Sequence, residues 1–441
     1  MASDKSRAEL LSEKDERLRD TIQQKHGKTP EQLYKERDGR VRDTIALKEP
    51  DRVPVILRTG AFAARYAGLS ASSMYYDHAA YREACRRMVL DFEPDLTQSG
   101  DAGSGETMEL LDTRHQRWPG GNLPPDAAYQ FVEGEYMKAE EYDLFLNDPS
   151  DFMLRFYLPR LYGVLSPLSR LPAFRTMGGG GVGGVVSLFA SPEFRKLGEI
   201  LSRAGQAQDR MRLVTRGAEE EINRLGFPTR ISGGGVGGAP FDMIGDNLRG
   251  MRGAMLDMYR CPDKLLAACD KILEWRTSVA MPPNSMKQGK TRIAGRPLHK
   301  GAEGFMSVSQ FEKFYWPTLK KAVLADIELG YIPWLVWQGK LDSRLEYFLE
   351  FPEGKVVCWF QDTDMGKAKA ILANHICISG NVPASMLVCG SAQDVDDYCK
   401  KLIEVCGKRG GFILSAGSAE DDAKPENIKA MVDSVKKYGW Y

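Results

Sequence analysis

Net charge, paired cysteines and long apolar runs are all missing from this chain, and each absence removes a class of function. Lysine plus arginine and aspartate plus glutamate both number 60, so the formal charge is zero. A neutral chain has no global field to draw it to nucleic acid or to an anionic membrane, and neither partner is expected. The eight cysteines include no Cys-x-x-Cys pair, which removes ribbon-type zinc sites and thioredoxin-like redox motifs. Cys85, Cys269, Cys399 and Cys406 fall in helical patterns, where a free thiol behaves as a small hydrophobe; Cys377 and Cys389 lie nearer strand ends. No run approaches the roughly 18 apolar residues of a membrane span. Residues 1–14 are charged throughout, without the apolar core of a signal peptide, so a cytoplasmic location is expected.

What is present is a regular alternation. Hydrophobic residues make up 43% of 441 positions, enough for a sizeable core, and one α/β barrel with insertions can absorb that length. The anchor is the run Ile332-Pro333-Trp334-Leu335-Val336-Trp337-Gln338, with helix formers before it at 311–329 and an amphipathic stretch after it at 342–349. Further strands read at 53–57, at a short segment ending near residue 101, and at 229–232, 291–295, 356–360, 376–379 and 411–415. Helices are expected at 81–92, 309–329, 365–373, 392–405 and 425–438, the last with Pro425 at its start, where the missing N–H costs nothing. Eight strands with intervening helices predict a single (βα)8 TIM barrel over 46–441. Residues 1–45 read as a helical arm packed over the barrel or over a second subunit, which would make a homodimer. Between 102 and 228 the alternation fails, and this stretch is expected to be an insertion forming a lid or substrate wall after the second strand. It is expected to hold a hairpin near 129–136 and an aromatic-faced helix at 152–171.

Active sites of parallel α/β folds gather at the carboxyl ends of the strands. Those ends carry Arg58, Asp101, the glycine-rich turn at 233–238, His299, Trp337 with Gln338, Gln361 with Asp362 and Asp364, Asn381 and Ser418. Alone among five histidines, His299 directly follows a strand, and metal ligation, acid/base work or a hydrogen-bonding wall are all open to it. Asp364 suits the N-cap of the next helix, which leaves Asp362 as the functional carboxylate. Asn381 offers an amide to a ligand or shapes its turn. The two glycine runs, at 178–184 and 233–238, lack a Walker lysine and a clean Gly-x-Gly-x-x-Gly turn, so close backbone approach is expected rather than nucleotide binding.

Asp51-Arg52-Val53-Pro54-Val55, Ile378-Ser379-Gly380-Asn381-Val382-Pro383 and Lys424-Pro425-Glu426-Asn427-Ile428-Lys429-Ala430-Met431 resemble segments of the uroporphyrinogen decarboxylase superfamily. The resemblance covers about 45–441 and is weakest at 102–228. It implies one (βα)8 barrel acting as a porphyrinogen decarboxylase or as a cobalamin-dependent methyltransferase. The decarboxylases carry an arginine-rich loop after strand one; here it reads Arg58-Thr59-Gly60-Ala61-Phe62-Ala63-Ala64-Arg65-Tyr66, and only part of its basic character is kept. A porphyrinogen with eight carboxylates needs several guanidinium forks. Thiol-methylating members hold zinc with His-x-Cys and a later Cys, and the matching positions here are Val336, Gln338 and Ser418, without a thiolate. Leu298-His299-Lys300-Gly301 and Phe314-Tyr315-Trp316-Pro317 resemble anaerobic corrinoid methyltransferase-like members.

The resemblance therefore implies methyl transfer from a small O- or N-methylated donor, such as an aryl methyl ether undergoing O-demethylation, to the cobalt of a corrinoid carried on a partner protein. His299 and Asp362 would act as acid or as ligands of a divalent metal such as zinc. Gln338 and Asn381 would orient the donor, with Trp337, Phe62 and Tyr66 as the apolar wall. Arg58, Asp101 and Ser418 complete the expected substrate contacts. Two other readings stand beside it: a lyase acting on a small carboxylate through Arg58 or Arg65, and a ligand-binding homologue without catalysis.

Overall fold

The computed structural model describes residues 7–98, 103–176, 182–229, 234–282, 292–418 and 420–441. Its frame is parallel. Strand β1 (Ile56–Arg58) pairs with β2 (Leu96–Gln98), and a two-residue antiparallel ladder joins β3 (Gln116–Arg117) to β4 (Gln130–Phe131) in the insertion. The strands β5 (Arg292–Leu298), β6 (Tyr331–Trp337), β7 (Val357–Phe360), β8 (Cys377–Val382) and β9 (Phe412–Ala416) form one parallel sheet in chain order. Parallel bridges continue the order, from Val55 to Leu414 beside β9 and from Thr97 in β2 to Thr229. Of the strand expected at 229–232 only Thr229 is described; beyond it, Gly234 accepts a hydrogen bond at 2.8 Å from the Arg296 guanidinium of β5.

Alternation along these strands sorts two cores. Ile56, Leu96, Ile293, Trp334, Val357, Trp359, Cys377 and Ile413 belong to one buried cluster, each on the same face of its strand. Val41 and Ile45, from the helix Pro30–Ile45, join that cluster, so part of the N-terminal arm packs on this face of the parallel strands. The opposite strand faces, with Leu57, Leu298, Leu335, Trp337, Phe360 and Ile378, pack against the surrounding helices.

The β6 register is bounded by two glycines in the left-handed region, Gly330 (φ 91°) and Gly339 (φ 97°), where a side chain would be strained. Between them, period two sends Trp334 inward and Trp337 outward. The expectation that Trp337 presents an aromatic face to a pocket is therefore corrected. Its ring is fully buried against Tyr315 and Phe348, with centroids at 6.1 and 5.3 Å. The stretch after β6 is a short 3-10 turn, Leu345–Glu350, rather than a full helix.

In the insertion, β4 pairs across a loop with β3, so the strand residues of the expected hairpin reduce to Gln130 and Phe131. The helix expected at 152–171 is broken into short pieces, with Pro167 inside the last of them, Gly163–Arg170. A 24-residue helix, Pro192–Thr215, stands where no regular element was read.

Candidate functional site

The residues that end the parallel strands share one rim because the ladders are in register. Leu298 lies opposite Trp337, Trp337 opposite Phe360, and Asn381 opposite Ser415. Backbone hydrogen bonds tie the next residues along, from Gln338 N to the Leu298 carbonyl at 3.0 Å and from Gln361 N to the Trp337 carbonyl at 3.2 Å.

His299 sits on this rim with Nδ1 at 2.9 Å from Asp246 Oδ2. Its Nε2 has no hydrogen-bond partner among the described residues, and the side chain is one-third exposed. The hydrogen bond to Asp246 raises the imidazole above its ordinary pKa, and burial only partly opposes it. Asp246 also pairs with the Lys300 ammonium; burial would raise its carboxyl, but the bonds from His299 and Lys300 outweigh it and hold the group low. Beneath this pair Asp242 accepts three donors: His299 N at 3.0 Å, Lys300 N at 2.8 Å and the Tyr315 hydroxyl at 2.6 Å. Burial, then the charge of Asp246, pushes its carboxyl upward. The result is an imidazole fixed by a carboxylate on one nitrogen and open on the other, the arrangement of a general acid or base.

Both carboxylates come from the helical segment that follows the second glycine run, at 240–248, which opens on Pro240 at its first turn. The described part of that run, 234–238, lies over a buried ion pair. Val236 N donates to Asp326 at 2.6 Å, Asp326 pairs with Arg296, and a Cβ on Gly235 would stand 2.1 Å from an Asp326 oxygen. Close approach is what the glycines permit, and it aims Asp242 and Asp246 at the end of β5. The sequence carried a partial signal for them, since Ala239-Pro240-Phe241-Asp242 closes the glycine run, but nothing local points from either aspartate to His299.

The other expected residues fall at several different places. A cleft of about 760 Å³ at the ends of β7 and β8 is lined by Gln361, Asp362, Asp364, Asn381 and Ser418 among others. Asp362 is exposed there, whereas Asp364 is the N-cap, accepting from Lys367 N at 2.9 Å. Asn381 is 7% exposed and spends its amide on the carbonyls of Thr363 and Gln361, at 3.0 and 3.3 Å, so its visible work is to shape the loop after β7. Gln338 stands exposed at the end of β6, outside the residues lining this cleft. Arg58 lies beside Trp334, Trp359 and Glu420 at the end of β1. It pairs with Glu420 at 3.1 Å, donates to the Ser418 carbonyl and lies 5.4 Å over the Trp359 ring. Glu420 is buried, and burial raises its carboxyl against the pull of Arg58.

Phe62 and Tyr66 do not reach this rim. They sit on the helix Gly60–Tyr66 and pack on Phe92, with centroids at 5.6 and 5.0 Å. Trp337 faces the helices, as described above. Asp101 lies outside the described residues.

His299 and Asp362 were expected to share a divalent metal. Among the described residues no group of three or more His, Cys, Asp or Glu is placed to hold one. Asp246 already occupies the Nδ1 side of His299. That contact leaves Nε2 as the open nitrogen of His299.

The model of the uroporphyrinogen decarboxylase (URO-D) family matches residues 208–438. A uroporphyrinogen decarboxylase from Syntrophotalea carbinolica is 22% identical over 233 residues, 52% of this chain; the matched part spans 63% of that relative's length. A solved structure, a methyltransferase from Methanosarcina mazei, is similar with a TM-score of 0.55 at 13% identity, covering 91% of this chain and 98% of that one. The match is one of fold. Among the described residues no helix is long and apolar enough to cross a membrane.

Proposed function

Because the chain belongs to the uroporphyrinogen decarboxylase family, we propose that its parallel strands close into a (βα)8 barrel whose rim moves a methyl group from a small O- or N-methylated donor to the cobalt of a corrinoid protein. The single observation that carries this reading is His299, held on Nδ1 by Asp246 and free on Nε2 at the end of β5. A methyl ether or amine has a poor leaving group. Protonation of its oxygen or nitrogen as the carbon–heteroatom bond breaks makes departure feasible, and the raised imidazole is an acid suited to that step. The proton leaves Nε2, the methyl passes to cobalt, and the demethylated alcohol or amine is released. Asp246 stabilises the imidazolium before transfer, and Gln338 on the neighbouring strand end is positioned to orient the donor. The insertion, over 103–228, is the surface on which we place the corrinoid protein.

The decarboxylase alternative draws on the family and on the Syntrophotalea relative. It needs guanidinium groups free for carboxylates. Arg58 is engaged by Glu420 and the Ser418 carbonyl, and Arg65 by the carbonyls of Asp421 and Asp126, at 2.7 and 2.8 Å, and by Asp422. Those engagements favour methyl transfer.

The test is a visible spectrum of the protein mixed anaerobically with Co(I) corrinoid, free or protein-bound, and a panel of methoxyarenes and methylamines. Growth of the methyl-cobalt band with one donor is expected, falling roughly 100-fold or more in His299→Ala. Release of CO2 from an aryl acid or porphyrinogen with no methylation would replace this reading by the lyase one.

A further inference from the structure

At the opposite, amino-terminal end of the strands, a cavity of about 320 Å³ lies between the N-terminal helices and the barrel, lined by His26, Lys28, Arg37, Arg40, Arg52 and Lys436 together with Leu33, Glu36 and Glu93. Most of these charges are matched. Arg40 pairs with Asp51 at 2.6 Å and also with Asp95, and Arg52 pairs with Asp95 at 2.7 Å. Lys28 holds Glu36 at 2.7 Å. Glu93 takes His26 at 2.9 Å, Lys25 at 2.7 Å and, loosely, Lys436 at 3.5 Å.

Arg37 is the exception. It is only 7% exposed, yet no carboxylate among the described residues is within ion-pair distance of it. One terminal nitrogen donates to the Gly226 carbonyl at 2.6 Å, and the guanidinium carbon lies 4.0 Å over the Phe227 ring. Its Nε and second terminal nitrogen have no hydrogen-bond partner among the described residues. Burial drags Arg37 down to about 10, and the more distant charges of Asp95 and Glu93 offset it only in part. Buried charges are ordinarily paired, so an unpaired fork lining a cavity asks for an anion.

We propose that this cavity binds a small oxyanion, the phosphoryl group of a phosphate ester or a carboxylate. The free edge of Arg37 supplies the fork, and Lys28 and Lys436 supply further charge. Guanidinium geometry matches both groups in two parallel hydrogen bonds. The walls come from both N-terminal helices, the approaches to β1 and β2 and the C-terminal helix, so the ligand would clamp the arm to the barrel. The site is separate from the catalytic rim and does not depend on the reaction proposed there.

The test titrates the full chain by calorimetry with inorganic phosphate and, separately, with succinate, at ionic strength held constant with sodium chloride. Saturable binding of one equivalent is expected, and which probe binds names the ligand class. Arg37→Gln should weaken it roughly tenfold or more, the scale of a lost charge-assisted hydrogen bond. Amide exchange over residues 20–45 should slow in the bound state. Absence of saturable binding with both probes, or equal affinity in Arg37→Gln, overturns the proposal. If Arg37→Gln does not fold, the double variant Lys28→Gln/Lys436→Gln, changed at two half-exposed positions, should lose severalfold in affinity; an unchanged affinity there overturns it as well.

Discussion

His299 takes its chemistry from a residue 53 positions upstream. The imidazole is raised first by its hydrogen bond to Asp246, so the protonated form persists to higher pH than in an isolated histidine. If that form is the acid, the rate is highest below the raised pKa and falls as pH climbs through it. Asp246→Asn removes the charge and keeps the shape. The falling limb of the pH–rate profile is then expected to move to lower pH, and the NMR titration midpoint of the His299 ring should move the same way. An unmoved midpoint would show that Asp246 does not tune the ring. The adjacency of His299 to a strand end was legible in sequence, since the strand read at 291–295 precedes Leu298-His299-Lys300-Gly301. The carboxylates beneath it were not, because a hydrogen bond between positions 246 and 299 leaves no local period.

At the level of elements, β6 illustrates how one residue of register decides a role. The position and length of the strand were readable from its apolar run, and the observed Tyr331–Trp337 is shifted by a single residue from the expected 332–338. Which side chains face the axis was not, because both faces of a buried parallel strand are apolar and alternation carries no contrast. Trp334 went inward and Trp337 outward into a helix-facing aromatic cluster. Trp337→Ala should therefore lower unfolding free energy by about 3–5 kcal/mol, measured by urea denaturation, while the KM for the donor stays near the wild-type value. A raised KM with little loss of stability would return Trp337 to the pocket wall. The same limit applies to the helix Gly60–Tyr66: Phe62 and Tyr66 follow a strand end, but their rings are taken up by Phe92.

Across the whole molecule, the N-terminal helices are joined to the parallel strands by a charge network as well as by apolar contact. Asp95 is fully buried and receives Arg40 and Arg52, with Val55 N adding a bond at 3.0 Å. Burial alone would raise its carboxyl, but the two guanidiniums outweigh that and hold it below the ordinary value. A depressed folded pKa means stability present above the unfolded value and lost as pH falls through the folded one. Asp95→Asn should cost about 3–5 kcal/mol at neutral pH and flatten the acid limb of the stability curve, both followed by denaturant titration between neutral and acidic pH.

The sequence by itself determined the elements. Apolar runs, helix formers, Pro425 and the Asp364 cap are local signals, and they located five strands of the parallel sheet to within a few residues. Tertiary structure decided which faces those elements turn inward, that the segment from Gly234 carries Asp242 and Asp246 to His299, and that Arg37 is buried with no carboxylate partner among the described residues. The physical reason is range. Period and capping act within a few residues, whereas charge pairing and side-chain facing are fixed only when distant segments close on one core.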